Sequence, residues 1–306
     1  IVNEKSKSGN AKQIWKEIEE VLKVRNVSYQ AFVSEYRGHA GKLAAEICAM
    51  DDNDICLVAV GGDGTANEVI NGITDFEKVR FGVIPTGSGN DLARGLSLSK
   101  DPKNGAIHIL NAMKKSREDT WCMDLGEVNF GEKKRLFAIS AGIGLDALVC
   151  KKALKSTIKD ILNKIRLGKL TYLVLTVQSL FTMQTADAEI FFDREEGLQK
   201  KRMIFTAAMN FKAEGGGVPM APAASACDGK LSFCEAAGIP KWRTFLCLPF
   251  LVAAKHTSIH GFSVTDAKDC TIRLSRPLVV HADGEYCGEV TEVHFHCLPG
   301  KLRVLK

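Results

Sequence analysis

Two glycine-rich loops, each set between an apolar strand and a helix, constrain this chain more than anything else in it. Gly61-Gly62-Asp63-Gly64-Thr65 follows the apolar run Ile55–Val60 and precedes the helical stretch Ala66–Ile73. Pro85-Thr86-Gly87-Ser88-Gly89-Asn90-Asp91 follows the short strand Phe81–Ile84 and precedes helical Leu92–Leu96. An apolar run that ends on glycines reads as a buried parallel strand. Glycines let backbone N–H groups approach an anion, and a helix N-terminus adds partial positive charge. Two such loops at strand C-terminal ends converge where open α/β sheets bind ligands. The plain alternative is a turn. Asp-Gly is a strong hairpin signal and occurs at Asp63-Gly64, Asp228-Gly229 and Asp283-Gly284. The strand-to-helix setting of the first two loops favours a phosphate site. GxxxxGK[ST], a GxGxxG after a strand, and the HRD and DFG set are missing, which sets aside a P-loop NTPase, a dehydrogenase and a protein kinase.

A length of 306 residues is a prior for two domains. The expected fold class is α/β plus β. Residues 1–120 alternate strand and helix, with a helix at Ala11–Val24, a strand at Val27–Val33 and a helix at His39–Met50. Repeated βα units imply a parallel sheet with helices on its faces. From Trp121 the pattern turns to short strands: Trp121–Phe130, Arg135–Ala141, Ala188–Arg194, Met203–Met209, Leu231–Ala237, Cys270–Leu274, Leu278–Ala282 and Val293–Cys297. Helical stretches at Ala147–Ser179 and Lys241–Lys255 interrupt them, so residues 121–297 read as a β-sandwich with inserted helices. Residues 298–306 are candidates to return to the first domain.

The longest uncharged run, Leu170–Ala186, is 17 residues long and carries Thr, Gln and Ser, which is too short and too polar for a spanning helix. No signal peptide is visible, and the chain opens at Ile1 without Met, as if upstream residues were missing. Ten cysteines without a CxxC pair read as reduced thiols in a cytosol. Two of them flank His294 and His296 at no recognised zinc spacing. The expected location is cytoplasmic, peripheral at the inner membrane surface.

The two N-terminal loops resemble a known family. Gly61–Thr65 with Asn67 and Glu68 is similar to the GGDGTxNE motif of diacylglycerol kinase catalytic domains, and Pro85–Asp91 with Ala93 and Arg94 to their PxG[ST]xNDxAR. The resemblance continues through Asp124–Gly126, Gly142–Asp146, Gly215–Gly217, Asp228–Leu231 and Asp283–Glu285, nearly the whole chain in family order. The family includes bacterial soluble lipid kinases and sphingosine kinases, with NAD kinase a distant relative. The resemblance implies transfer of the γ-phosphoryl group of ATP to a lipid hydroxyl, most simply that of diacylglycerol.

Carried over position by position, Gly61, Gly62, Asp63, Gly64, Thr65 and Asn67 would cradle ATP, helped by Ser88. Ser34 stands where the family usually has a nucleotide-side Thr. Asn3 and Ser6 match an N-terminal NPxSG motif, from which the chain departs at Glu4 and Lys7. Asp63, Asp91 and Asp124 match carboxylates that organise Mg²⁺ and water, Asp283 matches the general base, and Glu285 supports it. Asp228, with the backbone carbonyls of Ser225 and Lys230, matches a structural Mg²⁺ site; the alternative there is a turn without metal.

The net charge is 41 − 36 = +5, and Lys151–Lys169 carries seven bases and one acid. Leu154, Ile158, Ile161, Leu162 and Ile165 share one helical face, with Lys152, Lys155, Lys159 and Arg166 on a neighbouring one. A basic amphipathic helix reads as a membrane-surface element, or as a solvated face on a packed helix. No nucleic-acid motif appears at a pI of 8.6. Homodimerisation is open. The alternatives are a kinase of another lipid, of sphingoid or undecaprenol type, one for a soluble NAD-kinase-like substrate, and a non-catalytic nucleotide- or lipid-binding module.

Overall fold

The structure, a computed structural model, describes residues 1–6, 11–155, 168–193 and 196–306. Lys7 and the core of the basic stretch, Ile158, Lys159, Ile161, Leu162, Ile165 and Arg166 among them, lie outside the described residues. The chain forms two compact units, Ile1–Asp124 with Pro299–Lys306, and Leu125–Leu298.

The first unit is α/β. Its elements are α1 (Ala11–Val24), α2 (His39–Cys48), β1 (Ile55–Gly61), α3 (Asp63–Gly72), β2 (Val79–Pro85), α4 (Asp91–Gly95) and α5 (Pro102–Ala112). β1 and β2 run parallel, in register from Ile55 opposite Val79 to Gly61 opposite Pro85. Arg303 and Val304, near the end of the chain, add in parallel to Arg80 and Phe81, and Val2 bridges both Val60 and Val33. Both ends of the chain thus belong to this sheet. β2 is buried along its whole length, as a central parallel strand must be. One core cluster joins Val2, Ile18, Val60, Ile84, Ile109 and Leu305.

The 3.6-residue period of Ile14, Ile18, Val21 and Leu22 places α1 to the residue. Val27–Val33 forms no strand beyond the bridge at Val33. Its residues are largely exposed, and Val2 is the neighbour that lends it hydrogen bonds, at Phe32 O and Ser34 N. A β-branched edge with one short partner leaves most of its ladder unmade. Sequence reading also passed over α5, whose Asp101 cap accepts from Lys103 N–H and whose Pro102 opens the helix.

The second unit is a mixed, mainly antiparallel β structure, with β3 (Trp121–Phe130) leading into it. Next come β4 (Lys133–Phe137), β5 (Ser140–Gly144), α6 (Leu145–Lys155), α7 (Gly168–Thr182), β6 (Ala186–Phe192), β7 (Leu198–Met203), β8 (Phe205–Met209) and β9 (Leu231–Ala236). α8 (Lys241–Val252), β10 (Phe262–Ala267), β11 (Asp269–Ala282) and β12 (Glu285–Val304) complete it. β5, β8, β9 and β10 form an antiparallel ladder. β11 changes partner along its length: Cys270–Leu274 pairs with β6, and Val280–Ala282 pairs with β5. The register against β12 breaks between Arg273 and Leu278, around Pro277, which has no N–H to give a ladder. The two expected strands Cys270–Leu274 and Leu278–Ala282 are therefore one strand with a break. Conversely, Arg135–Ala141 and Met203–Met209 are each divided between two strands. The core between these layers holds Phe137, Ile190, Phe233, Ile272, Val280 and Phe295.

Candidate active site

Glycine sets the shape of the N-terminal loops. A Cβ on Gly87 would lie 2.7 Å from the Gly62 Cα, so the two loops touch backbone to backbone. Thr86 N–H donates to Gly61 O at 2.8 Å and locks them side by side. A Cβ on Gly61 would meet the Thr65 side chain at 2.5 Å. Beside this seam the start of α3 presents the first N–H groups of the helix and the positive end of its dipole, a suitable cradle for phosphate.

The N-terminal segment braces both loops. Asn3 Nδ2 donates to Thr65 Oγ1 at 3.0 Å, and the Ser6 and Thr86 hydroxyls are 2.7 Å apart. Ser34 is buried and its N–H donates to Val2 O, which places it on the strand edge beside that segment. Asn67 is buried inside α3, where its carbonyl and side-chain oxygens accept from Asn71 Nδ2. Ser88 is exposed at the tip of the second loop.

Two carboxylates stand beside the loops. Asp63 Oδ1 accepts from Leu92 N–H at 3.1 Å and so ties the first loop to the start of α4. Asp91 is buried and ion-paired with Arg94, whose guanidinium also reaches Gly89 O at 2.8 Å. Around Gly89 a space the size of a Cβ is flanked by Asp63 Oδ2 at 3.0 Å and Asp91 Oδ2 at 3.7 Å. Two hard oxygen donors beside a phosphate cradle fit Mg²⁺, which takes one or two carboxylates and completes its shell with water and phosphate oxygens. Asp124 is buried in β3, and its Oδ1 accepts Gly300 N–H at 2.7 Å.

The second unit holds the other carboxylates. Asp283 and Gly284 form the β11–β12 turn at φ 48° and 81°, both positive as a two-residue hairpin requires. The Asp283 side chain reaches across to the β4–β5 junction. Its Oδ2 accepts from Ala138 N–H at 2.8 Å, and its Oδ1 from Ile139 and Ser140 N–H at 2.8 and 3.1 Å. Glu285 follows at the start of β12, half-buried.

Beside this turn is a buried group that sequence reading missed. His281 Nε2 lies 3.1 Å from Asp146 Oδ2, and Gly284 N–H donates to His281 Nδ1 at 3.2 Å. Glu214 completes the cluster and is hydrogen-bonded to the Ser140 hydroxyl. Burial pushes the imidazole pKa down, the bond to Asp146 and the charges of Asp146, Glu214 and Asp283 push it up, and the net direction is up. Gly142 makes room for the pair, since a Cβ there would meet Asp146 Oδ2 at 1.8 Å. The sequence carries part of the signal: Asp146 closes the Gly142–Asp146 motif, and His281 stands two residues before Asp283.

The profile of the diacylglycerol kinase catalytic domain matches residues 1–123, and that of the YegS C-terminal NAD kinase beta sandwich-like domain matches residues 140–306. The chain belongs to the diacylglycerol kinase-like family of lipid kinases. It is 29% identical over 309 residues to YtlR of Bacillus subtilis, whose name assigns it to the lipid kinases provisionally; the match covers 99% of this chain and 97% of that protein. It is 27% identical to the diacylglycerol kinase of Bacillus subtilis, over 80% of this chain and 75% of the relative. Among solved structures, a provisionally named diacylglycerol kinase from Bacillus anthracis strain Sterne superposes with a TM-score of 0.77 at 21% identity, covering 99% of this chain and 95% of that one. The fold is that of the diacylglycerol kinase and NAD kinase group, with an N-terminal catalytic-type domain and a C-terminal sandwich-like domain.

In this diacylglycerol kinase-like chain the remaining site residues are surface features. Asp228 is exposed, and its Oδ1 accepts Lys230 N–H at 3.1 Å across Gly229 at φ 76°. That turn accounts for an Asp-Gly at this position without a cation. Ser225 places its hydroxyl 3.5 Å from Cys227 Sγ. Among the described residues two clusters of three potential ligands occur, Asp146/Glu214/His281 and Asp269/His294/His296, and Asp228 is in neither. The second cluster is a cross-strand group in which His296 Nδ1 lies 2.6 Å from Asp269 Oδ1. The cysteines flanking the two histidines take no part in it. No disulfide forms among the described cysteines, and burial, opposed by Arg135 but helped by Glu285 and Asp283, pushes the Cys287 thiol up to about 11.

Of the basic stretch, Lys151 pairs with Glu289 and Lys152 donates to Thr182 Oγ1 at 3.1 Å, so its first two cations serve the protein's own packing. No described helix is long and apolar enough to cross a membrane.

Proposed function

We propose that the chain transfers the γ-phosphoryl group of ATP to the hydroxyl of a membrane lipid, most simply the free hydroxyl of diacylglycerol, giving phosphatidic acid and ADP. The observation that carries this reading is the seam of Gly61–Thr65 and Pro85–Asp91, where the Gly62 and Gly87 backbones meet beside the start of α3 and the Asp63 and Asp91 carboxylates. In phosphoryl transfer the protein mainly positions the reactants and neutralises charge. Bound Mg²⁺, held by Asp63 and Asp91 with Asp124 in the surrounding water network, would supply the positive charge that offsets the triphosphate. The N–H groups of Gly61 to Thr65 and the Asn3, Asn67 and Ser88 side chains hold the phosphates, with Ser6 and Ser34 bracing the nucleotide side.

Asp283 accepts the proton of the lipid hydroxyl as its oxygen bonds to phosphorus and the bond to the ADP oxygen breaks. An ionised carboxylate offers about four lone-pair sites. On Asp283 the backbone N–H groups of Ala138, Ile139 and Ser140 donate to the carboxylate and fix its direction. Glu285 supports this base. Asp228, with the carbonyls of Ser225 and Lys230, is kept as a site for a bracing cation, to be tested by Mg²⁺-dependent melting of the Asp228→Asn variant. A cytoplasmic protein working at the inner membrane face follows from a soluble donor and a lipid acceptor; dimerisation is not required.

The test is transfer of labelled γ-phosphate from ATP in Mg²⁺ buffer to diacylglycerol, sphingosine, ceramide, undecaprenol or NAD, the lipids in mixed micelles. Labelled lipid that vanishes with Asp283→Asn supports the reading and names the acceptor. Labelled NAD, or no product from a protein that binds ATP, overturns it.

A further inference from the structure

Helix α8 is apolar on opposite faces. Thr244, Cys247 and Leu251, spaced three and four apart, are buried, the last two in a core cluster with Phe205, Cys234 and Phe262. The opposite face carries Trp242, Phe245, Leu246 and Phe250, which are 60%, 40%, 57% and 50% exposed, and Val252 extends it at the C-terminal end. Helix α7 adds to the same patch: Phe181 is half exposed and its ring centroid is 6.0 Å from that of Phe245. The Lys241 ammonium bonds to the Phe181 and Met183 carbonyls and fixes the two helices together. A helix that is apolar all round belongs in a protein core or in a lipid phase, and soluble surfaces rarely keep such a patch without a partner.

Charge identifies the partner. From Ala236 to Thr265 the chain has three bases, Lys241, Arg243 and Lys255, and no acid. From Leu170 to its end at Thr182, α7 carries no charged residue. Exposed aromatic side chains on a stretch that also exposes Arg243 and Lys255 and contains no acid match the interface of an anionic bilayer, where Trp and Phe enter the acyl boundary and bases face the headgroups. A protein partner of complementary charge would have to supply the acids this surface lacks.

We propose that the exposed face of α8, with Phe181 of α7, is the element that docks this protein on anionic membranes. The inference rests on the lipid-kinase reading for its purpose, but not for its measurement. It assigns the membrane contact to an apolar patch on α8 and the C-terminal end of α7, outside Lys151–Lys169.

The test uses the full chain with vesicles of phosphatidylcholine alone or with 30% phosphatidylglycerol, read by co-sedimentation. Tryptophan quenching by brominated phosphatidylcholine reports depth, and the chain has only three tryptophans, Trp15, Trp121 and Trp242. The wild type should bind the anionic vesicles and be quenched. The variant Trp242→Ser/Leu246→Ser/Phe250→Ser should keep its melting temperature, lose quenching and lose roughly 100-fold in vesicle affinity, since three anchors no longer enter the bilayer. Its turnover on dispersed dioctanoylglycerol should equal the wild type's. Unchanged vesicle affinity of the variant, or no binding by the wild type, overturns the proposal. So does a wild-type dimer in sedimentation that the triple variant dissolves, because the face would then belong to a second copy. Vesicle binding without turnover on any lipid would sink the kinase reading and leave the surface standing; turnover without vesicle binding would do the reverse.

Discussion

The two units build their candidate chemistry in opposite ways. In the first, the site is made by leaving side chains out: Gly61, Gly62 and Gly87 bring two backbones into contact, and the groups offered to a ligand are main-chain N–H. In the second, it is made by burying side chains. The Asp283 carboxylate pins a turn to the β4–β5 junction, and His281, Asp146 and Glu214 form a polar cluster behind it. A glycine seam fails when anything is added to it. A buried polar cluster fails when any member is removed, because the remaining partners keep their desolvation cost.

The comparison is sharpest at Asp283. Asp283→Ala should abolish turnover, with a loss of about 10²–10⁴-fold expected for a general base. It should also lower stability by several kcal/mol, since three N–H donors lose their acceptor and each unsatisfied buried group costs about 1–3 kcal/mol. Asp283→Asn, which keeps an acceptor oxygen, should lose turnover with a smaller change in melting. Equal turnover in the two variants and the wild type would reduce Asp283 to a turn residue.

Gly87→Ala tests the other unit. The new Cβ would lie 2.7 Å from the Gly62 backbone and 2.9 Å from Asn90 Oδ1, so the loops must part, at about 1–3 kcal/mol of stability. ATP affinity should fall at least tenfold by equilibrium dialysis. Retained affinity would show that the seam does not hold nucleotide.

A third experiment asks whether His281 is coupled to its carboxylates. Its folded pKa is raised above the unfolded value. Its contribution to stability is then fully present below about pH 6.5, the unfolded value, and is lost as pH rises through the folded pKa. Protonation also places a hydrogen on Nδ1, where Gly284 N–H now donates, so the charged and neutral forms hold the turn differently. Urea titrations between pH 5.5 and 8.5 should show this decline in the wild type and a flatter profile in Asp146→Asn. Parallel profiles would break the coupling.

The smallest effect is expected at Arg94→Ala. Its pair with Asp91 is partly exposed and should be worth less than about 1 kcal/mol by thermal unfolding. A larger loss would mean that Arg94 holds Gly89 and the second loop in shape.

The sequence by itself determined the local rules. Apolar periodicity placed α1 and β3, and a strand–glycine–helix order placed both phosphate-type loops, because period and φ freedom are properties of a few neighbouring residues. The tertiary structure alone decided what distant residues do to one another. Val27–Val33 has strand-forming residues but lacks a long partner, while Pro277 leaves β11 one strand that changes neighbours. No spacing announces that His281 meets Asp146, 135 positions away, or that Asp283 is caught by the N–H groups of Ala138, Ile139 and Ser140. Nor does one separate the buried face of α8 from its exposed one, since both are apolar. Pairing, desolvation and exposure depend on what the rest of the chain brings to a point in space, and a local pattern carries no record of that.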